Sequence, residues 1–477
     1  MLKSKSTPNK KFKLPEIQHN LRIGPKTRIH PPQNFTMTKE AEDSFLDSPI
    51  YRYNDLKPAS SAPFLDHLIE KYANDHHVQF VDLASKVQRP SPTLFTWNQK
   101  LTYGNIPSSR ASATLTSINN NFYLFGGQSG DRLNELKCLN YTTLTWSTIS
   151  PIKDMEIPDP RDGHTTVAFR NFLIVYGGAG AFNSALHTRT CSPLLHILDT
   201  QDLHWKIYKP LGRLPDPRRN HGAVIIGNSM IVYGGINNNS EVLDDFQAVN
   251  IDQMQWFAMK FTKDTQKPRE RHSFTMTAAF HPNTLKQTNF DIFNLPGVFD
   301  EEFTRKNSGI YIFGGMNGNR KVLNDLYLFQ PVKKQTKSEK NLIKVSKVEP
   351  AGKPPLARYQ HSAGLCGKLL VIIGGRNDSL YLNTKQSAVN EIAALNIVCC
   401  RWETIDLYGM VPNSVWGVAC SSINTKLLCF GGMNLNSFAS NNLWVLDTNQ
   451  DLADGFENRR KENIRIVIRR STRVSFQ

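Results

Sequence analysis

One short word recurs six times in this chain, and it limits the possible folds more than any other feature. It is a run of large apolar residues ending in a glycine pair. Leu173-Ile174-Val175-Tyr176-Gly177-Gly178 is the fullest copy, and the others end at Gly126-Gly127, Gly234-Gly235, Gly314-Gly315, Gly374-Gly375 and Gly431-Gly432. Four apolar residues in a row suit a buried strand better than a helix. Two residues without Cβ let the chain leave that strand at positive φ while a neighbouring side chain packs on bare backbone. The copies stand 51–80 residues apart, a period that implies a repeated supersecondary unit.

Other residues keep their distance from the glycines. Thirteen positions before the first glycine stand Ala113, His164, His221 and His361, and three before those stand Arg110, Arg161, Arg218 and Arg358. The fourth repeat offers Arg269 and His272, which places an insertion of 29 residues at roughly 281–308, and the sixth offers Asn413 and Trp416 at a spacing of 15. Downstream, an acidic or amide residue precedes an apolar run, and ten residues into that run stands Trp146, Trp205, Trp256 or Trp402. Each unit thus holds four short β-type runs, which reads as a four-stranded antiparallel sheet. Such a sheet buries only one face alone, whereas six stacked radially close a ring with short edges.

These marks resemble the kelch family of β-propellers over about residues 93–448. The resemblance implies an all-β fold, a six-bladed propeller of kelch type with four antiparallel strands per blade. The tryptophans then act as apolar plugs between blades. Repeat four departs from the pattern: Val345 stands where the tryptophan is due, and its lysine-rich loop holds Lys333, Lys334, Lys337 and Lys340. Repeat six has no Trp strand after Leu443–Asp447, but Trp97 lies 13 residues before Arg110, the spacing of Trp205 to Arg218. Residues 93–99 are therefore expected to supply the last blade's fourth strand, with the alternating run Ile464–Ile468 as the competitor.

The formal net charge is +16. Residues 1–40 carry nine Lys/Arg against two acids, residues 457–477 seven against two, and residues 331–353 seven lysines against two glutamates. The basicity thus lies in two ends and one loop, which speaks against a nucleic-acid-binding face and for arms that touch an acidic partner. The expected organisation is a disordered basic arm over 1–50, a linker over 51–92, the propeller over 93–448 and a basic disordered tail over 449–477. The linker holds one short helix at 63–72, where Phe64, Leu65, Leu68, Ile69 and Tyr72 recur at helical spacing. No run of 18 apolar residues predicts a transmembrane helix. The seven scattered cysteines and the absence of a signal-peptide core predict a cytoplasmic protein, in an environment that extends to the cytoskeleton or cilium. Cys399-Cys400 is expected within a strand, its side chains on opposite faces.

In an up-and-down meander, the loops after strands two and four emerge on the same ring face, the face that resemblance to kelch repeats marks as the partner-binding one. The expected partner-binding residues there are Arg132, His187, Arg189, Asn238, Arg320, Arg376, Tyr381 and Asn434. Arginine and asparagine suit a peptide bearing carboxylates or exposed backbone. The Arg-x-x-His pairs recur in several repeats, and a copied residue does a copied, structural job. No catalytic constellation, phosphate loop or metal motif is found, so neither cofactor nor metal is expected. Kelch-like copper oxidases are secreted and use an asymmetric Tyr/His site, which has no counterpart here. The first function class is therefore a non-catalytic protein-interaction scaffold. The second is a substrate receptor of a ubiquitin ligase, although residues 1–92 are too short and polar for a BTB domain.

Overall fold

The computed structural model describes residues 93–150, 156–180, 182–184, 188–279, 307–332, 342–380, 387–412 and 416–450. The chain divides into two compact units, Met1–Arg89 and Pro90–Gln477, and every described residue belongs to the second. The arm 1–50, the helix expected at 63–72, the lysine loop 333–340 and the run 464–468 lie outside the described residues.

Six sheets follow one another along the chain. The first blade is formed by Thr114–Ile118, Asn121–Phe125, Leu136–Asn140 and Thr145–Ile149, hydrogen-bonded in that order. Its first strand touches the first strands of the second and sixth blades, Asp162–Phe169 and Ala419–Ile423. The contacts run on through Gly222–Ile226, Thr275–Ala279 and Ser362–Cys366 and return, so the innermost strands form a closed cycle. The fold is an all-β six-bladed propeller.

Two features close the ring. Thr93–Lys100 pairs antiparallel with Leu443–Asp447, setting Trp97 opposite Leu446. The amide of Gly432 also donates to the Arg110 carbonyl at 2.9 Å. The second bond repeats a stitch made between other blades, Gly127 to Arg161, Gly235 to Arg271 and Gly315 to Arg358, each at 2.9 Å.

The glycine pairs adopt the geometry that this stitch requires. The first glycine of each pair has φ between 60° and 71°, the second between 89° and 102°. A Cβ on Gly127 would lie 2.7–2.9 Å from Ala111 O and from Ala113 Cβ and N, so a side chain is excluded by space as well as by φ.

The tryptophans sit between blades. Trp146 lies 5.2 Å from Phe430 of blade six, Trp205 5.5 Å from Phe125 of blade one, Trp256 5.4 Å from Tyr176 of blade two and Trp402 5.8 Å from Phe313 of blade four. In blade four, fully buried Val345 is opposite Phe329 in the sheet. That ring stacks on Phe246 at 5.1 Å and meets Tyr233 at 5.4 Å, filling the seam that a tryptophan fills elsewhere.

Among the described residues, five of the blade-to-blade linkers then run along the outer edge of the next sheet. Tyr103–Gly104, Lys260–Phe261 and Ile405–Gly409 pair parallel to the fourth strands of blades one, four and six, and Leu211 and Ala351 make single parallel bridges at blades three and five. Five outer edges are therefore covered, and three blades carry five strands. Gly212 and Gly352 press on the carbonyls of Trp256 and Trp402, where a Cβ would lie 2.7 and 2.6 Å away.

Three sequence expectations need correction. In the fourth repeat the buried arginine is Arg271, not Arg269; it donates to the Gly314 carbonyl and to Asp325 as its counterparts do in their own blades. Phe274, not His272, then takes the histidine position, and the insertion shortens by the two residues between them. In the sixth repeat Trp416 bridges to Met433 as Ala111 bridges to Gln128. The counterparts of arginine and histidine are thus Val415 and Val418, at the regular spacing, rather than Asn413 and Trp416. Finally, Cys399 and Cys400 lie in the turn between Ala393–Asn396 and Arg401–Trp402, not in a strand, and Cys400 has φ 53°.

Candidate functional site

Each arginine that opens a repeat is enclosed by its own blade. Arg110, Arg161, Arg218, Arg271 and Arg358 are at most 2% exposed. Each donates Nη1 to the carbonyl of its first glycine, at 3.0–3.3 Å, and Nε to a carbonyl two residues upstream, at 2.9–3.2 Å. Glu135, Asp245, Asp325 and Glu391 complete four of these nests as ion pairs. Blade two has Leu194 at the corresponding position. Burial lowers the Arg161 pKa, and it pushes Arg358 down to about 10 against the opposing pull of Glu391.

The histidines join blades. His164, His221 and His361 place Nε2 2.8–3.0 Å from the hydroxyls of Thr114, Thr165 and Thr275 on the preceding blade. Burial, reinforced by the neighbouring arginine, pushes His164 and His361 down to about 3 and His221 well below its ordinary value. They are neutral structural spacers.

Between arginine and histidine the chain makes a tight inward step. Ser112, Gly163, Asn220, Ser273, Gln360 and Gly417 all have φ of 53–65°. Their backbones bond from blade to blade: Ser112 to Gly417, Asn220 to Gly163, Ser273 to Asn220, Gln360 to Ser273 and Gly417 to Gln360, at 2.7–3.0 Å. These bonds join neighbouring blades near the glycine pairs. Around them, at the channel mouth, stand the residues that directly follow the arginine positions: Ala111, Asp162, Arg219, His272, Tyr359 and Trp416.

Half of that mouth is cationic and aromatic. The Arg376 guanidinium lies 4.9 Å from the Trp416 ring and 5.7 Å from the Tyr359 ring, with Nη2 3.2 Å from Asp378. Tyr359 donates its hydroxyl to Asp378 at 2.7 Å, and burial together with that carboxylate raises its pKa. Arg376 Nε and Arg219 Nη1 are both buried and without a hydrogen-bond partner. Arg219 lies beside the buried thiol of Cys191, a weak acceptor. Burial, helped by Arg219, pushes His272 down to about 4, so that ring is neutral and its Nδ1 is 3.0 Å from Ser273 Oγ.

Of the residues expected from sequence, only Arg376 contributes to this cluster. Arg132 is paired with Asp162 at 2.7 Å. Arg189 holds its own loop through the Gly180 carbonyl at 3.2 Å and lies over Phe182. Asn238 ties blade three to the main chain of Cys191. Asn434 Oδ1 caps its own turn at Asn436 and Phe438, while Arg320 stands exposed at φ 59°. His187 and Tyr381 lie outside the described residues. Arg219, Tyr359 and Trp416 were missed although a signal was present. Pro107, Pro158, Pro215, Pro268, Pro355 and Pro412 each stand three residues before the arginine position, and would have placed Arg271, Val415 and the mouth residue after each arginine position.

The KLHDC2/KLHL20/DRC7 Kelch-repeats domain matches residues 86–281 and 302–452. The chain belongs to the kelch-repeat family. Among curated relatives it is 30% identical over 207 residues to Acyl-CoA-binding domain-containing protein 4 of Arabidopsis thaliana, covering 42% of this chain and 30% of the relative. Host cell factor 2 of Homo sapiens is 25% identical across 75% of this chain and 44% of its own length. Kelch domain-containing protein 3 of Homo sapiens is 24% identical across 57% and 78%. The chain therefore spans under a third of the plant relative it matches. The kelch propeller and the host cell factor likeness both suggest a role in protein–protein interaction.

Proposed function

We propose that this kelch propeller is a non-catalytic interaction module whose channel mouth, at the glycine face, receives an acidic stretch of a partner polypeptide. One observation carries the reading: two guanidinium N–H groups, Arg376 Nε and Arg219 Nη1, have no carbonyl or carboxylate acceptor, and Arg219 has only the weakly accepting Cys191 thiol beside it. A buried donor left unsatisfied costs about 1–3 kcal/mol, and a carboxylate or peptide carbonyl would remove that cost. Tyr359 and Trp416 hold the Arg376 plane in place, so little side-chain entropy is lost on binding. The basic ends and the lysine loop add attraction for an acidic surface, which suits a cytoplasmic setting at the cytoskeleton or cilium.

The test is quantitative capture with the full chain and with Arg219→Glu and Arg376→Glu, whose folding is checked by thermal denaturation. Partner recovery should fall at least tenfold with either variant while the melting temperature holds. Undiminished recovery would remove the mouth from the proposal, and recovery of a cullin or elongin would turn the reading to a ligase substrate receptor.

A further inference from the structure

Two cysteines face one another across the last hairpin of the ring. In blade six Ala419–Ile423 pairs antiparallel with Lys426–Phe430, and the register sets Cys420 opposite Cys429. Residues opposite one another in such a pair have Cα atoms about 4.5–5.5 Å apart, and their side chains share one face of the sheet. Here that face packs on blade five, in a cluster with Cys366, Val371 and Ala394. Cys420 Sγ lies 3.3 Å from Cys429 Sγ, and both are free thiols. Cys429 is buried, whereas Cys420 is only half-buried.

From this geometry we infer that Cys420 and Cys429 form a redox-modification site, at which a hydroperoxide converts the two thiols into a cross-strand disulfide. A disulfide spans Cα atoms roughly 4.4–6.8 Å apart, which opposed strands already provide. The sulfurs have to approach by about 1.3 Å, a movement within reach of side-chain rotation. The two thiols are unequal, and the difference assigns their roles. Cys420 is the accessible one and meets the peroxide first. Its thiolate attacks one peroxide oxygen, the O–O bond breaks, hydroxide leaves and is protonated to water, and Cys420 becomes a sulfenic acid. Burial keeps the Cys429 thiol protonated and out of reach of the oxidant. It acts second: its sulfur attacks the sulfenic sulfur, the S–O bond breaks as the S–S bond forms, and the hydroxyl leaves with the Cys429 proton as water. Two thiols thus lose two electrons and two protons while one hydroperoxide is reduced, and exchange with a dithiol reverses the step. Cys366 is fully buried on the neighbouring blade, pairs with neither strand of the hairpin, and is pushed up to about 12 by burial, so it stays a packed thiol. This inference does not rest on the reading of the channel mouth.

The test is peptide mapping of the full chain, treated with stoichiometric hydrogen peroxide, alkylated and digested with trypsin without reduction. Cleavage after Arg401, Lys426 and Arg459 puts the two cysteines on separate peptides, so the bridge is read as 402–426 joined to 427–459, lighter than their sum by a pair of hydrogens. This pairing should exceed every other cysteine pairing at least tenfold, and dithiothreitol should return it to free thiols. Cys429→Ser should yield no bridge and leave Cys420 as a sulfenic acid that dimedone labels, while Cys366→Ser should leave the yield unchanged. Passage of wild-type Cys420 to a sulfinic acid without bridging would overturn the proposal, as would a bridge of equal yield between Cys366 and Cys420. Oxidation of exposed Cys399 while Cys420 and Cys429 stay unmodified would assign the pair to packing alone and overturn it too. The wild-type map decides these outcomes even where a variant fails to fold.

Discussion

The amide of Gly432 donates to the carbonyl of Arg110 at 2.9 Å, joining the last glycine pair of the chain to its first repeat. The bond carries no sequence-specific chemistry, yet it shows that the first and last blades meet as any two neighbours do. Ring closure thus rests on a main-chain stitch and on the strand Thr93–Lys100, and both can be tested.

Trp97 is 4% exposed and belongs to the core between blades five and six. Trp97→Ala should destabilise the propeller by about 3–5 kcal/mol, measured by denaturant unfolding. Removing residues 1–100 deletes the last blade's fourth strand and should lower stability further. A truncated chain as stable as the whole would contradict non-covalent closure.

Gly127→Ala should cost about 2 kcal/mol or more. Its φ of 90° strains any L side chain, and the added Cβ would press on Ala111 and Ala113. Calorimetric melting of this variant beside Gly130→Ala, where a Cβ would meet nothing within 4 Å, separates the two causes, since Gly130 shares the positive φ (79°) without the crowding.

Replacing Arg358 by Met leaves the Glu391 carboxylate without its guanidinium and opens the nest. The expected loss is about 3–5 kcal/mol by equilibrium unfolding. The ion pair Lys347–Glu349 is a surface control: Glu349→Gln should leave the unfolding midpoint where it is.

Stability should fall with acid over a window set by the buried histidines. His164 and His361 hold folded-state values of about 3, below the unfolded value of roughly 6.5. The unfolded chain binds more protons between these limits, so the contribution of the neutral rings is complete above about pH 6.5 and is lost as pH falls toward 3. His361→Phe, which copies Phe274 of blade four, should flatten the slope by about one proton, ~1.4 kcal/mol per pH unit. Unfolding midpoints between about pH 4 and 7 measure it, and an unchanged slope would show that His361 is not a source.

The repeat was legible because its determinants are local. A glycine pair at positive φ, a tryptophan ten residues into the next apolar run and a buried arginine recur at fixed distances, since each does the same job in a sheet of nearly constant size. The misassignment of Arg269 shows where spacing alone misleads. Two arginines lay within reach, and only the bonds of Arg271 to Gly314 and Asp325 distinguish the buried one. Loop position likewise does not reveal the bonds that Arg132, Asn238 and Asn434 make to Asp162, Cys191 and Phe438.

The sequence by itself therefore determined the blade number, the four strands of each blade and the seams between blades, because these depend on residue type at nearly constant separation. The tertiary structure alone decided how the channel mouth is composed. Tyr359, Arg376 and Trp416 come from three separate segments and two blades. Closing the ring brings distant segments together, so the groups a partner would meet are defined by which blades are neighbours rather than by nearness along the chain.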